Sequence, residues 1–166
     1  MNLLFQVYDN VGSSSVGYYL YNDEKPDGSS SSYRGHTKGV SVFDANGGFF
    51  LDHSVPRFPP AAEDAYEFPQ NEATYGQSFM CVSGDSTALE VIFGQWLYTY
   101  PNDYSSNIPE ALQSIYPNLV QVRLKIVALC ELCTVSATPY IVCGHSIVDL
   151  MCLHAYAGGR GQARNF

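Results

Sequence analysis

Basic residues are scarce in this 166-residue sequence: eight lysines and arginines stand against sixteen aspartates and glutamates, a formal net charge of −8. A protein that grips nucleic acid by bulk electrostatics carries the opposite balance, so composition argues against that class. The deficit is uneven, with four basic and fourteen acidic residues in 1–121 but four and two in 122–166. No run approaches eighteen apolar residues, so no transmembrane helix and no membrane partner is expected. The opening MNLLFQVYDN has neither a basic flank nor a small-residue cleavage site, so no signal peptide is read there. That stretch is expected to be an early strand, or to follow a start codon placed inside a longer gene. No internal repeat is visible, and no N-x-S/T glycosylation acceptor is present.

Cysteine is also sparse until late. Cys81 stands alone before Cys130, Cys133, Cys143 and Cys152, an odd total of five. The C-x-x-C of CELC raises a redox pair or half a zinc site completed by His145 or His154. The Leu- and Val-rich surroundings lack knuckle turns, which favours inert thiols, and neither a metal nor another cofactor is expected.

What is present suits one domain, or part of a larger one: an apolar fraction of 46% and thirteen tyrosines provide for a core. SVGYYLYND predicts a strand ending in a turn, and EKPDGSSSSYR a surface loop. HTKGVSVF and GFFLDHSV flank Asn46-Gly47, a hairpin signal. VPRFPPAAEDAYEFPQ must be irregular, and YGQSFMCVS reads as a buried strand. DSTALEVIFGQWLYTY predicts a helix capped by Thr87 and Glu90, with Leu89, Ile92, Phe93 and Trp96 on one face. Asn107, Pro109 and Glu110 start a second helix, and the alternation of Val120, Val122, Leu124 and Ile126 predicts a strand. A further helix is possible at SIVDLMCLHAY. The class is α+β, a mixed sheet with flanking helices.

Chemistry concentrates at YRGHTKGVSVFD. On a strand, residues i and i+2 share a face about 6.5–7 Å apart, so His36 and Lys38 would enter one space, with Val40 and Val42 continuing into the core. An ammonium neutralises phosphate oxygens while an imidazole attacks phosphorus or moves a proton. Gly35 and Gly39 would leave room for an anion. An isolated H-x-K is a weak signal, since such pairs also occur on solvated strands. Asp44 is better suited to starting the DANGG turn than to catalysis, Tyr75 and Gln77 to a structural part, and Arg57 to a surface position. His53 is either a cleft residue or a histidine packed under the proline loop.

YND, RGHTKGV, GGFFLDHSVPRFPP, TYGQSFMCVS and YTYP follow one another in this order, and from Gly17 to Val122 the chain resembles the deoxyribonuclease II family. Within it, PEALQSIYPNLVQV looks like the family's helix and following strand. The resemblance implies a phospholipase D-like fold in which two halves each present an H-x-K to one cleft. It implies metal-independent cutting of DNA at acid pH to 3′-phosphate ends, in a lysosomal or secreted setting that the acidic composition suits. His36 and Lys38 carry the amino-half motif, and His53 is a family feature. Cys81 would be expected to pair with a cysteine near the mature start, and none stands there.

Residues 1–122 are thus expected to form the amino-terminal half, and 123–166 a divergent, cysteine-rich tail. No lysine follows Lys125, so neither His145 nor His154 begins a second H-x-K. A missing carboxyl-terminal half would supply the second histidine. Three readings stay open: an endonuclease represented by one half, a homodimer that rebuilds the two-histidine site, and an inactive fragment or decoy.

Overall fold

Alternating large apolar side chains build the centre of the molecule. The computed structural model describes residues 3–124. Five strands, β1 (Gly17–Asn22), β2 (Lys38–Phe43), β3 (Gly47–His53), β4 (Phe79–Asp85) and β5 (Asp103–Asn107), form one sheet in the order β4-β3-β2-β1-β5. Helices α1 (Phe5–Tyr8), α2 (Ser86–Thr99), α3 (Glu110–Gln113) and α4 (Pro117–Arg123) complete an α+β fold, as expected. Every described pairing is antiparallel, where a mixed sheet was expected. The first four strands run as a meander, and successive neighbours in a meander can only be antiparallel. Among the described residues no helix is long and apolar enough to cross a membrane.

The strand period sorts the core into two layers. Tyr19, Tyr21, Phe43 and Phe50 turn to one face and meet Leu89, Phe93 and Trp96 of α2. Trp96 stacks on Tyr19 at 5.3 Å between ring centroids and meets Tyr21 edge-on at 5.0 Å. Tyr18, Leu20, Val40, Val42, Phe49 and Leu51 turn to the other face, under Leu4, Val7, Val55 and Phe58. Each fully buried aliphatic or phenyl side chain contributes about 1.5–3 kcal/mol of transfer free energy. α2 crosses the first face and returns the chain from the β4 edge to the β5 edge.

Several local expectations give way to tertiary context. The opening segment is the helical turn α1, because buried Leu4 and Val7 stand three apart while Leu3 and Phe5 are exposed. The hairpin forms, but Gly47 opens β3 at φ +151° instead of sharing a two-residue turn. Asp44 Oδ1 holds that turn by accepting from the Asn46 and Gly47 amides at 2.7 and 3.1 Å. YGQSFMCVS does yield β4, yet the strand is exposed along nearly its whole length and lies at an edge of the described sheet.

The cap of α2 is Asp85, which accepts from the Ala88 amide at 2.9 Å; Thr87 lies inside the first turn. Glu90 serves α4 instead, accepting from the Asn118 amide at 2.8 Å. Asn107 ends β5, its side chain donating to the Ser13 and Val16 carbonyls, so Pro109 opens the short α3. The strand expected from Val120 is the helix α4. Pro117 starts it, Leu119 and Val122 are buried three apart, and Leu124 is exposed. The four late cysteines, read as inert thiols rather than a zinc or redox site, and the helix at SIVDLMCLHAY lie outside the described residues.

Candidate active site

One carboxylate organises the residues singled out by the sequence. Asp23 directly follows β1, and the pairing of Asn22 with Lys38 brings the start of β2 beside it. Asp23 Oδ2 lies 2.7 Å from His36 Nδ1, and Asp23 Oδ1 accepts from Lys38 Nζ. Asp23 and Lys38 are buried, whereas the His36 side chain is 58% exposed. The carboxylate therefore holds the Nδ1–H tautomer, turns Nε2 with its lone pair outward, and fixes an ammonium that retains further N–H donors.

His36 reaches this position from a loop, since β2 begins only at Lys38. The Thr37 amide donates to the Gly35 carbonyl at 2.8 Å, a tight turn that replaces the extended conformation expected at His36. Gly35 itself is pinned to the end of α2: its amide donates to the Tyr100 carbonyl at 3.0 Å. A Cβ on Gly35 would collide with the Thr99 carbonyl. The Arg34 guanidinium sits 3.7 Å from the centre of the Tyr100 ring. At Gly39 the space a Cβ would need is filled by the Tyr21 hydroxyl. Both glycines thus admit neighbouring protein atoms, and the room they were expected to leave for an anion is occupied.

Asn22 locks the turn that presents Asp23. Fully buried, it donates to the Val55 and Phe58 carbonyls at 3.0 and 2.9 Å and accepts from the Glu24 amide at 3.0 Å. The irregular proline segment is thereby tied to the site. In the sequence Asn22 and Asp23 marked a strand ending and part of the YND motif, with no site role assigned to either; the register of β1 on β2 makes Asp23 a carboxylate beside the H-x-K.

His53, the last residue of β3, shares the Lys38 face and is buried between Phe58 and Phe79, at 5.5 and 6.0 Å between ring centres. Burial, with the Lys38 charge adding to it, pushes its pKa down to about 3, the Val55 main chain acting weakly the other way. It packs under the proline segment, and it also lines a pocket of about 300 Å³ that His36 and Lys38 line. Asp44 serves its turn, and Arg57 lies 3.9 Å from Glu24. Tyr75 is exposed, and Gln77 accepts from Ser54 Oγ at 2.5 Å on the pocket rim. Cys81 is a free, exposed thiol. Among the described residues no three His, Cys, Asp or Glu side chains are grouped to hold a metal ion.

A family model for deoxyribonuclease II matches residues 1–140. The chain belongs to the deoxyribonuclease II family. It is 44% identical over 126 residues to rat deoxyribonuclease-2-alpha, covering 74% of this chain and 36% of that protein. It is 41% identical over 120 residues to cell-death-related nuclease 7 of Caenorhabditis elegans, covering 72% and 32%. With plancitoxin-1 of Acanthaster planci the identity is 38% over 118 residues, covering 70% and 33%. The chain spans about a third of the length of these relatives. The segment matched to the deoxyribonuclease II family contains Asp23, His36, Lys38 and His53 together.

Proposed function

We propose that this chain carries one half of a phosphodiesterase site and acts, once completed, as a metal-independent acid endodeoxyribonuclease. The observation that carries the proposal is the convergence of His36 and Lys38 on Asp23 at a pocket, in a chain of the deoxyribonuclease II family. His36 Nε2 attacks phosphorus, forming a P–N bond as the P–O5′ bond breaks. A second histidine gives its proton to the departing 5′ oxygen. Water then hydrolyses the P–N bond, regenerating His36 and leaving a 3′-phosphate end. Lys38 neutralises the non-bridging oxygens as charge gathers on them. The lysosomal or secreted setting belongs to this same reading.

The second histidine comes, in a phospholipase D-like pairing of halves, either from a carboxyl-terminal half or from His36 of a second copy of this chain. One feature favours such a pairing: β4 borders the pocket through Met80, and it leaves Phe79, Met80 and Val82 exposed at an edge of the described sheet. A long, apolar, unpaired strand edge is a surface that proteins normally cover. Without the partner histidine a factor of about 10² to 10⁴ is lost with the general acid, so a monomer of this chain would be nearly inactive.

Plasmid nicking at pH 5 in the presence of a chelator, combined with a sizing column and His36→Ala, tests the reading. Nicking by a dimer that His36→Ala abolishes supports the two-copy site. A folded monomer that nicks only after a carboxyl-terminal half is added supports the two-half site. Nicking that needs a divalent metal, or that survives His36→Ala, would overturn the assignment.

A further inference from the structure

His36 meets its carboxylate from a loop, and its mostly exposed side chain is not held there by packing. Two ties converge instead on the corner that follows α2. The Gly35 amide donates to the Tyr100 carbonyl at 3.0 Å, and the Asn22 amide donates to the Asn102 carbonyl at 3.0 Å. Asn102 returns a bond, its side-chain amide donating to the Asn22 carbonyl at 3.2 Å. Gly35 precedes His36 and Asn22 precedes Asp23, so residues 100–102 set the imidazole and the carboxylate from one frame.

Tyr100 is an unusual residue for that corner. It ends α2 in the left-handed conformation, at φ +52°. Glycine ordinarily takes such a position, because a side chain there crowds the backbone. Pro101 stops the helix from continuing, but it does not call for an aromatic ring before it. The ring has a partner: the Arg34 guanidinium lies 3.7 Å from its centre, well within reach of a cation–π contact. Among the described residues Arg34 forms no ion pair. The loop is therefore fastened twice to one residue, at the Tyr100 carbonyl through Gly35 and at the Tyr100 ring through Arg34.

We infer that Arg34 and Tyr100 are positioning residues: their stack latches the loop that carries His36 and so keeps His36 Nδ1 on Asp23. The inference rests on the phosphodiesterase reading and adds to it the device that holds the attacking imidazole in place. A nucleophile on a loop loses its alignment whenever the loop lifts, so the latch acts on the reaction through His36 without touching substrate. A cation over a ring at a partly exposed site multiplies the ratio of docked to released loop by about 2–30.

Substitutions in the whole chain separate the ring, the charge and the backbone. Tyr100→Asn removes the ring with a residue that tolerates the left-handed backbone, Arg34→Met removes the charge and keeps the apolar stem, and Tyr100→Phe keeps the stack. Amide hydrogen exchange at Gly35 reads the release of the loop. Imidazole nitrogen resonances at about pH 8, where an imidazole is ordinarily neutral, read which ring nitrogen of His36 carries the proton, with His36→Ala giving the assignment. Tyr100→Asn and Arg34→Met should each speed Gly35 exchange about 2–30-fold and raise the Nε2–H form of His36 in proportion, while the amides of β1 and β2 exchange as before. Tyr100→Phe should match the parent. Unchanged Gly35 exchange overturns the latch, as does faster exchange that leaves the His36 tautomer as it was. Faster exchange shared equally by β1 and β2 makes the pair part of the general fold and overturns it too, and so does Tyr100→Phe behaving like Tyr100→Asn. None of these readings needs nuclease activity, so a failure of the phosphodiesterase reading shows separately, in the plasmid assay.

Discussion

Replacing Asp23 with asparagine separates the two tasks assigned to that carboxylate. The variant keeps the shape and one acceptor but removes the charge that faces both His36 Nδ1 and the buried Lys38 ammonium. Removing one partner of a buried ion pair typically costs about 3–5 kcal/mol, because the remaining charge is left in a poorly solvating environment. For a domain of this size that corresponds to a fall in melting temperature of roughly 10 °C. Thermal and urea unfolding of the parent, Asp23→Asn, Lys38→Met and the double variant give the pairwise coupling. The double variant should be more stable than the sum of the single losses predicts, by about 0.5–3 kcal/mol, since it removes the unpaired charge as well as the attraction. His36, mostly solvent-exposed, contributes little to this cycle and serves as the control: His36→Ala should leave the melting point nearly unchanged while abolishing nicking. An unchanged midpoint for Asp23→Asn, or strictly additive losses in the cycle, would refute the claim that this carboxylate holds the site together.

Three other outcomes follow from the geometry. Gly35→Ala drives a methyl group into the Thr99 carbonyl, so His36 must move: nicking should fall at least tenfold with about 1–3 kcal/mol of stability, read by the plasmid assay and melting. Val82→Lys on the exposed β4 should change monomer stability by no more than about 0.5 kcal/mol, yet shift a sizing-column profile from dimer to monomer if two copies pair there. His53, held near pKa 3 against an ordinary 6.5, stays neutral when folded and takes up a proton when unfolded. Its contribution is fully present above pH 6.5 and is lost as pH falls toward 3, by up to about 1.4 kcal/mol per pH unit. His53→Phe should therefore flatten the acid limb of melting temperature against pH; an unaltered slope would contradict the burial described.

Legibility in the sequence followed the length scale of the interaction that decides each element. β1, β2 and β3 were readable because Tyr18–Tyr21, Val40–Phe43 and Phe49–Leu51 each bury both faces locally. β5 was not, because Asp103–Asn107 is polar and its pairing with β1 supplies what its side chains do not. The Val120–Leu124 alternation fitted a strand as a pattern. α2 had already placed Glu90 to receive the Asn118 amide and an apolar groove to receive Leu119 and Val122, and those contacts favour a helix. Capping by Thr87 failed for a related reason, since Asp85 occupies the extended residue at the end of β4 from which the helix starts.

The site divides along the same line. His36 and Lys38 were identifiable because their chemistry is carried by residue type at a spacing of two. Asp23 is thirteen residues upstream of His36, across a loop whose length and composition carry no trace of the contact. Its place depends on Asn22, whose side chain ties the strand end to the Val55 and Phe58 carbonyls, and on Asn102, whose carbonyl accepts from the Asn22 amide at 3.0 Å. The proline-rich connection, featureless as a motif, thus becomes the wall against which the carboxylate is set. A charge pair buried at such a junction contributes less to net stability than its geometry suggests, because desolvation offsets much of the attraction. What it fixes is direction: Asp23 holds His36 by Nδ1, leaving Nε2 turned away from the carboxylate, and keeps the Lys38 ammonium beside it.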